Sequence, residues 1–187
     1  MNTRKPKLPL IGLMGAAGAG KDTAADFLLE QVPAIKRAYA KPLYDMLNAF
    51  FSDFGIIPKW HDRAWKEAAH PKLGLSPRHM LQQLGTEWGR GLRSDFWLLP
   101  MQRALGLANT FGRGIVIPDV RFDDEAEFIL DRGGFLLYID SPWTEPVKEH
   151  VSNQPVWERH TCWLIKNEHG DVKGMHHKLL AALSHHG

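Results

Sequence analysis

A single cysteine, Cys162, in a chain of 187 residues excludes an internal disulfide, and with it the stapled scaffold of small secreted domains. Long hydrophobic runs are also missing. No apolar stretch approaches the roughly 20 residues that a membrane helix needs. Neither sign of charge dominates: the formal net charge is +2, with ten histidines that add positive charge only in mild acid. That balance argues against a chain living mainly on a nucleic acid backbone. Internal repeats and low-complexity tracts are absent as well. What remains is a composition that is 44% hydrophobic, enough for one well-packed domain and too little chain for two of ordinary size.

Near the amino end, Arg4-Lys5-Pro6-Lys7 precedes an apolar, small-residue stretch through Ala19 that imitates a secretory signal. A buried strand running into a glycine loop explains it better, because a cleaved leader would discard Gly20-Lys21 and the helix that follows. The expectation is a soluble chain in the cytoplasm, or in the host cytoplasm if a phage encodes it.

Leu8 to Met14 is a short apolar run of the kind buried on both faces of a sheet. After it, Ala24, Phe27, Leu28 and Val32 recur at helical spacing until Pro33. Between them lies GAAGAGKDT, Gly15 to Thr23, which satisfies G-x-x-x-x-G-K in the required order of strand, loop and helix. Gly15, Ala16, Gly18, Ala19 and Gly20 can aim successive N–H groups at one point, where the positive end of the helix also lies. Lys21 would reach the outer phosphates of a nucleotide and balance charge that shifts during transfer.

Asp22 stands where such loops place the hydroxyl that meets Mg²⁺; Thr23 supplies a hydroxyl one residue later. Two roles stay open for Asp22. A carboxylate on a first turn stabilises the helix by about 0.3–1 kcal/mol through the macrodipole, and it would also be able to touch Mg²⁺ through water.

Further apolar runs, Ile115 to Ile117, Phe135 to Ile139 and Cys162 to Ile165, alternate with helical patterns as in a parallel α/β sheet. Ile35 to Ala40 is a weaker strand candidate. Helices are expected at Leu43 to Phe51, Pro77 to Arg90, Asp95 to Leu107, Asp124 to Arg132 and Met175 to Leu183. Gly55 to Leu75 and Ser141 to Arg159 read as irregular, and long irregular segments are more often lids or binding loops than filler.

Ser76-Pro77 is a good helix entry, with Ser as N-cap and Pro at the first helical position. From there Arg78, Gln82 and Thr86 fall on one face at intervals of four, and Met80, Leu84 and Trp88 on the other. The second face is expected to pack. The first suits a phosphate or a base edge, since Arg offers a planar fork of donors. Asp119 ends the run Ile115 to Pro118, at the sheet edge where ligands bind in α/β folds. It would meet Mg²⁺ through water or contact an acceptor, and Arg121 would steady a phosphoryl group in flight; a local ion pair is the plain alternative. The adjacent pairs His176-His177 and His185-His186 lack zinc-ligand spacing and are expected to be solvated.

GKDT, YAKPLYDML (Tyr39 to Leu47), SPRHMLQQLGTEWGR (Ser76 to Arg90), SDFW (Ser94 to Trp97) and VIPDVRFDDEAEFI (Val116 to Ile129) occur in an order that resembles the bacteriophage-type deoxynucleoside monophosphate kinases. The resemblance runs from the phosphate loop to about Asn167. It implies a three-layer α/β P-loop fold in one domain, with an acceptor-binding helical region over about 41–110 and a lid over 141–159.

The implied reaction is ATP- and Mg²⁺-dependent phosphorylation of a deoxynucleoside monophosphate, with Lys21, Asp119 and Arg121 in catalysis. By the same resemblance Lys41, Asp95 and Trp97 join the acceptor site, Asn167 the adenine-contacting loop, and Lys148 and Arg159 the lid. Mg²⁺ would be carried mostly by phosphates and water, with Asp22, Thr23 and Asp119 nearby. Helix capping is the plain alternative for Lys41 and Asp95, and a turn for Asn167. Asn153 stands where the family often has Glu. Trp143 and Trp157 would either cover the site or pack beneath the loop.

The expected partners are small nucleotides, without a stable nucleic acid complex or a membrane, and a homodimer is left open. Two other readings also stay open: a kinase for another small molecule such as dephospho-coenzyme A, and a nucleotide-gated module that hydrolyses ATP slowly.

Overall fold

The computed structural model describes residues 8–144 and 156–186. These divide into two compact units, one formed by residues up to Ala38 together with Met101 onward, the other by Tyr39–Pro100.

In the first unit a sheet of five parallel strands has the order β2-β3-β1-β4-β5. The strands are β1 (Leu10–Met14), β2 (Ala34–Lys36), β3 (Gly114–Ile117), β4 (Phe135–Asp140) and β5 (Trp163–Lys166). The short apolar runs form these strands because β1 and β3 are covered on both faces and need no polar alternation. Helix α1 (Lys21–Gln31) follows β1.

One face of the sheet presents Ile11, Leu13, Val116, Leu137, Ile139 and Ile165 to Ala24, Ala25 and Leu28 of α1, and to Met175 and Leu179 of the C-terminal helix Val172–His186. The opposite face meets the helix Asp123–Leu130, which seats directly on Gly12 of β1. A Cβ there would come within 2.5 Å of Ile129 Cδ1 and 2.8 Å of Leu136 Cδ2. The result is three layers: helices, sheet, helix.

The weaker strand candidate Ile35 to Ala40 is realised only as Ala34–Lys36, although Arg37 N still donates to Val116 O at 3.0 Å. Cys162 lies just outside β5.

The Tyr39–Pro100 unit contains α2 (Lys41–Asp53), α3 (Arg63–Glu67) and α4 (Pro77–Gln82), which continues as a π-helix over Gln83–Arg90. Helix α3 corrects the expectation that Gly55 to Leu75 is irregular throughout; Asp62 caps it, accepting from Trp65 N at 3.1 Å. The unit's core is aromatic: Leu47, Phe51 and Ile56 are buried, with Trp60, Trp65, Met80, Leu81 and Leu84 packed around them. Ser76 caps α4 as expected, accepting from His79 N at 3.2 Å.

Trp88 is a correction, being 45% exposed rather than packed on the face of Met80 and Leu84. Each residue of a π-helix advances less around the axis than in an α-helix, so spacing of four stops marking one face after Gln83. Trp88 packs edge-on to Phe96 instead, with ring centroids 5.5 Å apart.

The next helix, α5 (Leu98–Thr110), begins three residues later than its pattern suggested. It leads from the second unit back into the first. Helices α6 (Asp123–Leu130) and α7 (Val172–His186) complete the chain. The C-terminal histidines are a second correction. His176 stacks on Phe27 at 3.8 Å, and His186 stacks on Phe135 at 4.1 Å while accepting from Trp163 Nε1 at 2.8 Å. Neither ring is simply solvated.

Candidate active site

The loop after β1 turns at three glycines with positive φ: Gly15 at 137°, Gly18 at 82° and Gly20 at 94°. Two of them are also pinned by close neighbours. A Cβ on Gly15 would lie 2.5 Å from Ile139 O, and one on Gly20 would lie 2.6 Å from Asn167 Nδ2. Only glycine meets both the φ and the space.

The loop is then braced from the far side of the sheet. Ser141 Oγ and Asn167 Nδ2 each donate to Ala19 O at 2.8 Å, and Asn167 N donates to Asp140 O at 2.8 Å. The segments leaving β4 and β5 thus fix the carbonyl of Ala19, while Ala19 N donates within the loop to Ala16 O at 3.2 Å. Asn167 is buried, and its side-chain amide serves this brace in the structure. Ser141 escaped the sequence analysis, because one serine after an apolar run carries no signal until the sheet order places it beside the loop.

Lys21 opens α1 and folds back on the loop, its Nζ donating to Gly15 O at 2.8 Å and Ala16 O at 2.6 Å. Burial lowers its pKa to about 8, and the charge of Arg121 pushes the same way, while Asp22 and Asp119 oppose them. Arg121 and Asp119 are therefore close enough to Lys21 to act on it electrostatically.

Their placement follows from the register. Gly12 pairs with Ile117, the last residue of β3, so β1 runs two residues further, and Val120 N donates to Leu13 O at 3.1 Å as the chain continues past β3. The carboxyl ends of two adjacent parallel strands deliver Lys21 on one side and Asp119 and Arg121 on the other, the usual ligand edge of an open α/β sheet. Arg121 is exposed.

Asp22 is 84% exposed on the outer side of the first turn of α1, with its carboxylate 3.7 Å from Lys36 Nζ. Burial alone would lower the Lys36 pKa, but the hydrogen bond and charge of Asp26, with Asp22, outweigh it and raise it. Thr23 is exposed on the same turn.

Arg159 of the expected lid donates from Nε to Asp123 Oδ1 at 2.9 Å, the oxygen that His160 Nε2 also meets at 2.9 Å. The Arg159 hydrogen bond is the main reason the Asp123 carboxyl lies below its ordinary pKa. Lys148 and Asn153 lie outside the described residues. Trp157 stacks on Tyr138 at 4.6 Å, whereas Trp143 is 38% exposed and meets His169 edge-on.

Within the Tyr39–Pro100 unit the expected acceptor residues carry partners of their own. Lys41 Nζ lies 2.6 Å from Asp45 Oδ2 one turn along α2. Arg78 Nε lies 2.5 Å from Glu67 Oε1 without the alignment of a hydrogen bond. Asp95 is chelated by Arg93, whose Nη2 donates to Oδ2 at 2.8 Å, and this hydrogen bonding holds the carboxyl below its usual range. Gln82 and Thr86 are half-buried. Trp97 is only 5% exposed, its indole N–H donating to Gly85 O at 2.7 Å and its ring filling the space beside Gly89. It packs the unit rather than offering a face to a ligand.

A parallel sheet flanked by helices, with a glycine loop at the amino end of α1, defines an α/β fold of the P-loop kinase type. The comparisons narrow this. The chain matches no protein-family model. It is 36% identical over 157 residues to the "Putative deoxynucleotide monophosphate kinase" of Acanthamoeba polyphaga mimivirus, covering 76% of this chain and 79% of that protein. It is also 26% identical over 179 residues to the "Deoxynucleoside-5'-monophosphate kinase" of Escherichia phage T5, covering 71% of that protein. An "Uncharacterized protein ORF76" of Ictalurid herpesvirus 1 is 28% identical over 159 residues, and the match spans 58% of it. The chain belongs to the deoxynucleotide monophosphate kinase family.

Proposed function

We propose that the protein transfers the terminal phosphoryl group of ATP to a deoxynucleoside 5'-monophosphate, giving ADP and the deoxynucleoside diphosphate. The observation that carries the reading is the glycine loop with Lys21 on the first turn of α1, at the sheet edge where Arg121 also lies; burial, and after it the charge of Arg121, lowers the Lys21 pKa to about 8. Cations held together against their repulsion suit a polyanion, and the loop N–H groups offer the same ligand a further set of donors.

In this reading the main chain of residues 15–20 cradles the β- and γ-phosphates. Lys21 exchanges the carbonyls of Gly15 and Ala16 for phosphate oxygens. An oxygen of the acceptor phosphate attacks the γ-phosphorus as the bond to the bridging oxygen of ADP breaks. That oxygen is already anionic, so no covalent enzyme intermediate is required. Positioning and charge neutralisation by Lys21 and Arg121 carry the rate. Arg78 and Gln82 of α4, with Thr86 of the π-helical continuation, take the acceptor, and Arg159 serves the donor phosphates once it leaves Asp123.

Mg²⁺ fits this donor set. Among the described residues no cluster of three or more His, Cys, Asp or Glu could hold a metal outright, yet Asp119 places a carboxylate near Lys21 at the loop edge and Thr23 a hydroxyl on the first turn. Bound through phosphates and water beside these groups, the ion would supply charge neutralisation on the transferring group. Asp22, turned toward Lys36, serves the first turn of α1 instead.

A coupled assay with ATP, Mg²⁺ and each deoxynucleoside monophosphate in turn tests the proposal. ADP formation that depends on one or more of these acceptors is the expected result. Acceptor-independent hydrolysis, or activity confined to a cofactor precursor such as dephospho-coenzyme A, would overturn it.

A further inference from the structure

Glu125 is only 4% exposed, in the first turn of α6. Its Oε2 accepts from two main-chain donors, Arg121 N at 2.8 Å and Phe122 N at 3.2 Å. A Glu three residues into a helix commonly reaches back to the N-cap N–H, here that of Phe122. The shorter bond goes one residue further, to Arg121, which lies outside the helix. Helix capping does not need that bond, and the reciprocal half of the usual box is missing because the Phe122 side chain cannot accept. Glu125 is thus spending a buried carboxylate on the peptide that carries the exposed guanidinium.

The other side of the same segment is fixed too. Val120 is buried, and its N–H donates to Leu13 O at 3.1 Å, on the strand that runs directly into the phosphate loop. Residues 120 and 121 are therefore held between β1 and Glu125. Two consecutive peptides tied to rigid elements set the direction in which the Arg121 side chain leaves the backbone. The side chain itself is exposed and makes no hydrogen bond or ion pair among the described residues. Its aim must come from its backbone.

We infer that Glu125 is a positioning residue for phosphoryl transfer, acting through Arg121 by holding the 121–122 peptides so that the guanidinium meets the transferring group. This rests on the function proposed above. Misplacing a group by an ångström costs on the order of 100-fold in rate. Glu125→Ala should therefore lower kcat by about 10- to 100-fold, with KM for ATP changed by less than about twofold because the loop and Lys21 are untouched. Glu125→Gln keeps an acceptor oxygen of the same reach and should recover a large part of that loss.

The deciding measurement is a double-mutant cycle. If Glu125 works through Arg121, then removing Glu125 in an Arg121→Ala background costs little more than Arg121→Ala alone. Losses that multiply, or an effect of Glu125 that falls on KM for ATP, would overturn the inference while leaving the kinase reading intact. If Glu125→Ala does not fold, the cycle is run with Glu125→Asp, whose side chain is shorter by one methylene, and hydrogen exchange at the Arg121 and Phe122 amides reports whether the contact exists. Unprotected amides in the parent chain would overturn the inference. A parent chain that phosphorylates no deoxynucleoside monophosphate would overturn the proposed function and this inference with it.

Discussion

Lys21 in the first unit and three cations of the second are held in opposite ways. In the first, Lys21 rests on main-chain carbonyls and shares its edge of the sheet with Arg121, so its positive charge is poorly compensated. In the second, Lys41, Arg78 and Arg93 each sit against a carboxylate, from Asp45, Glu67 and Asp95. The loop of the first unit is braced by the segments leaving β4 and β5. An anion approaching the second unit must compete with carboxylates already in place. In the function proposed above, affinity on the first side would be set by preorganisation, and on the second by how cheaply the internal pairs are exchanged.

Removing Lys21 should produce the largest break in this contrast. Lys21→Ala is expected to lower kcat/KM by about 10²- to 10³-fold, as loss of a preorganised charge partner does. Steady-state kinetics with the acceptor saturating would check it, and a variant as fast as its parent would sink the phosphate-loop assignment.

Arg78→Ala tests the other side. It should raise KM for the acceptor by about ten- to a hundredfold, the range for a lost charge-assisted hydrogen bond. ATP affinity measured by calorimetry should stay unchanged; a shift in ATP binding alone would place Arg78 with the donor nucleotide.

The lowered Lys21 pKa of about 8 gives a pH dependence with a definite sign. Between there and the ordinary value of 10.5 the unfolded chain binds more protons than the folded one, so this group makes stability rise with pH across that window. ATP binding goes the other way. Phosphate favours the ammonium, so binding above pH 8 takes up a proton and weakens by up to about tenfold per pH unit. Calorimetry in buffers of different ionisation enthalpy would register the uptake, and its absence at pH 9 would contradict the account.

The smallest effect is expected from Glu67→Gln, which releases Arg78 from its pair. Exposed ion pairs contribute about 0–1 kcal/mol, so KM for the acceptor should fall by only two- to fivefold. A rise instead would mean that Glu67 orients the guanidinium rather than competing for it.

Much of the first unit could be read from residue order. Apolar runs become parallel strands because both faces are covered, and a glycine loop of fixed spacing leaves few conformations open. What could not be read depends on contacts between distant residues. Ser141 and Asn167 meet at Ala19 only because β4 and β5 lie on the same side of β1. Glu125 looks like any acidic residue on a first turn until its second bond, to Arg121, is seen. In the second unit the intervals of four among Arg78, Gln82 and Thr86 assumed α-helical phase, and the π-helix changed it partway, turning Trp88 outward. Trp97 resembled a ligand-facing residue by its place in a motif, yet the missing side chain at Gly89 leaves a space that its ring fills, and its N–H reaches Gly85 O. His176 and His186 looked like tail residues because α7 extends through His186, further than its apolar pattern did.

The missing side chain at Gly12 gives the molecule a point of leverage far from any ligand. A methyl group there would press on the side-chain tips of Ile129, Leu136 and Val120, the last of which precedes Arg121 in the chain. The gap at Gly12 is narrower than one carbon atom. A change too small to alter the fold would be felt there as a change in turnover, transmitted by steric pressure alone.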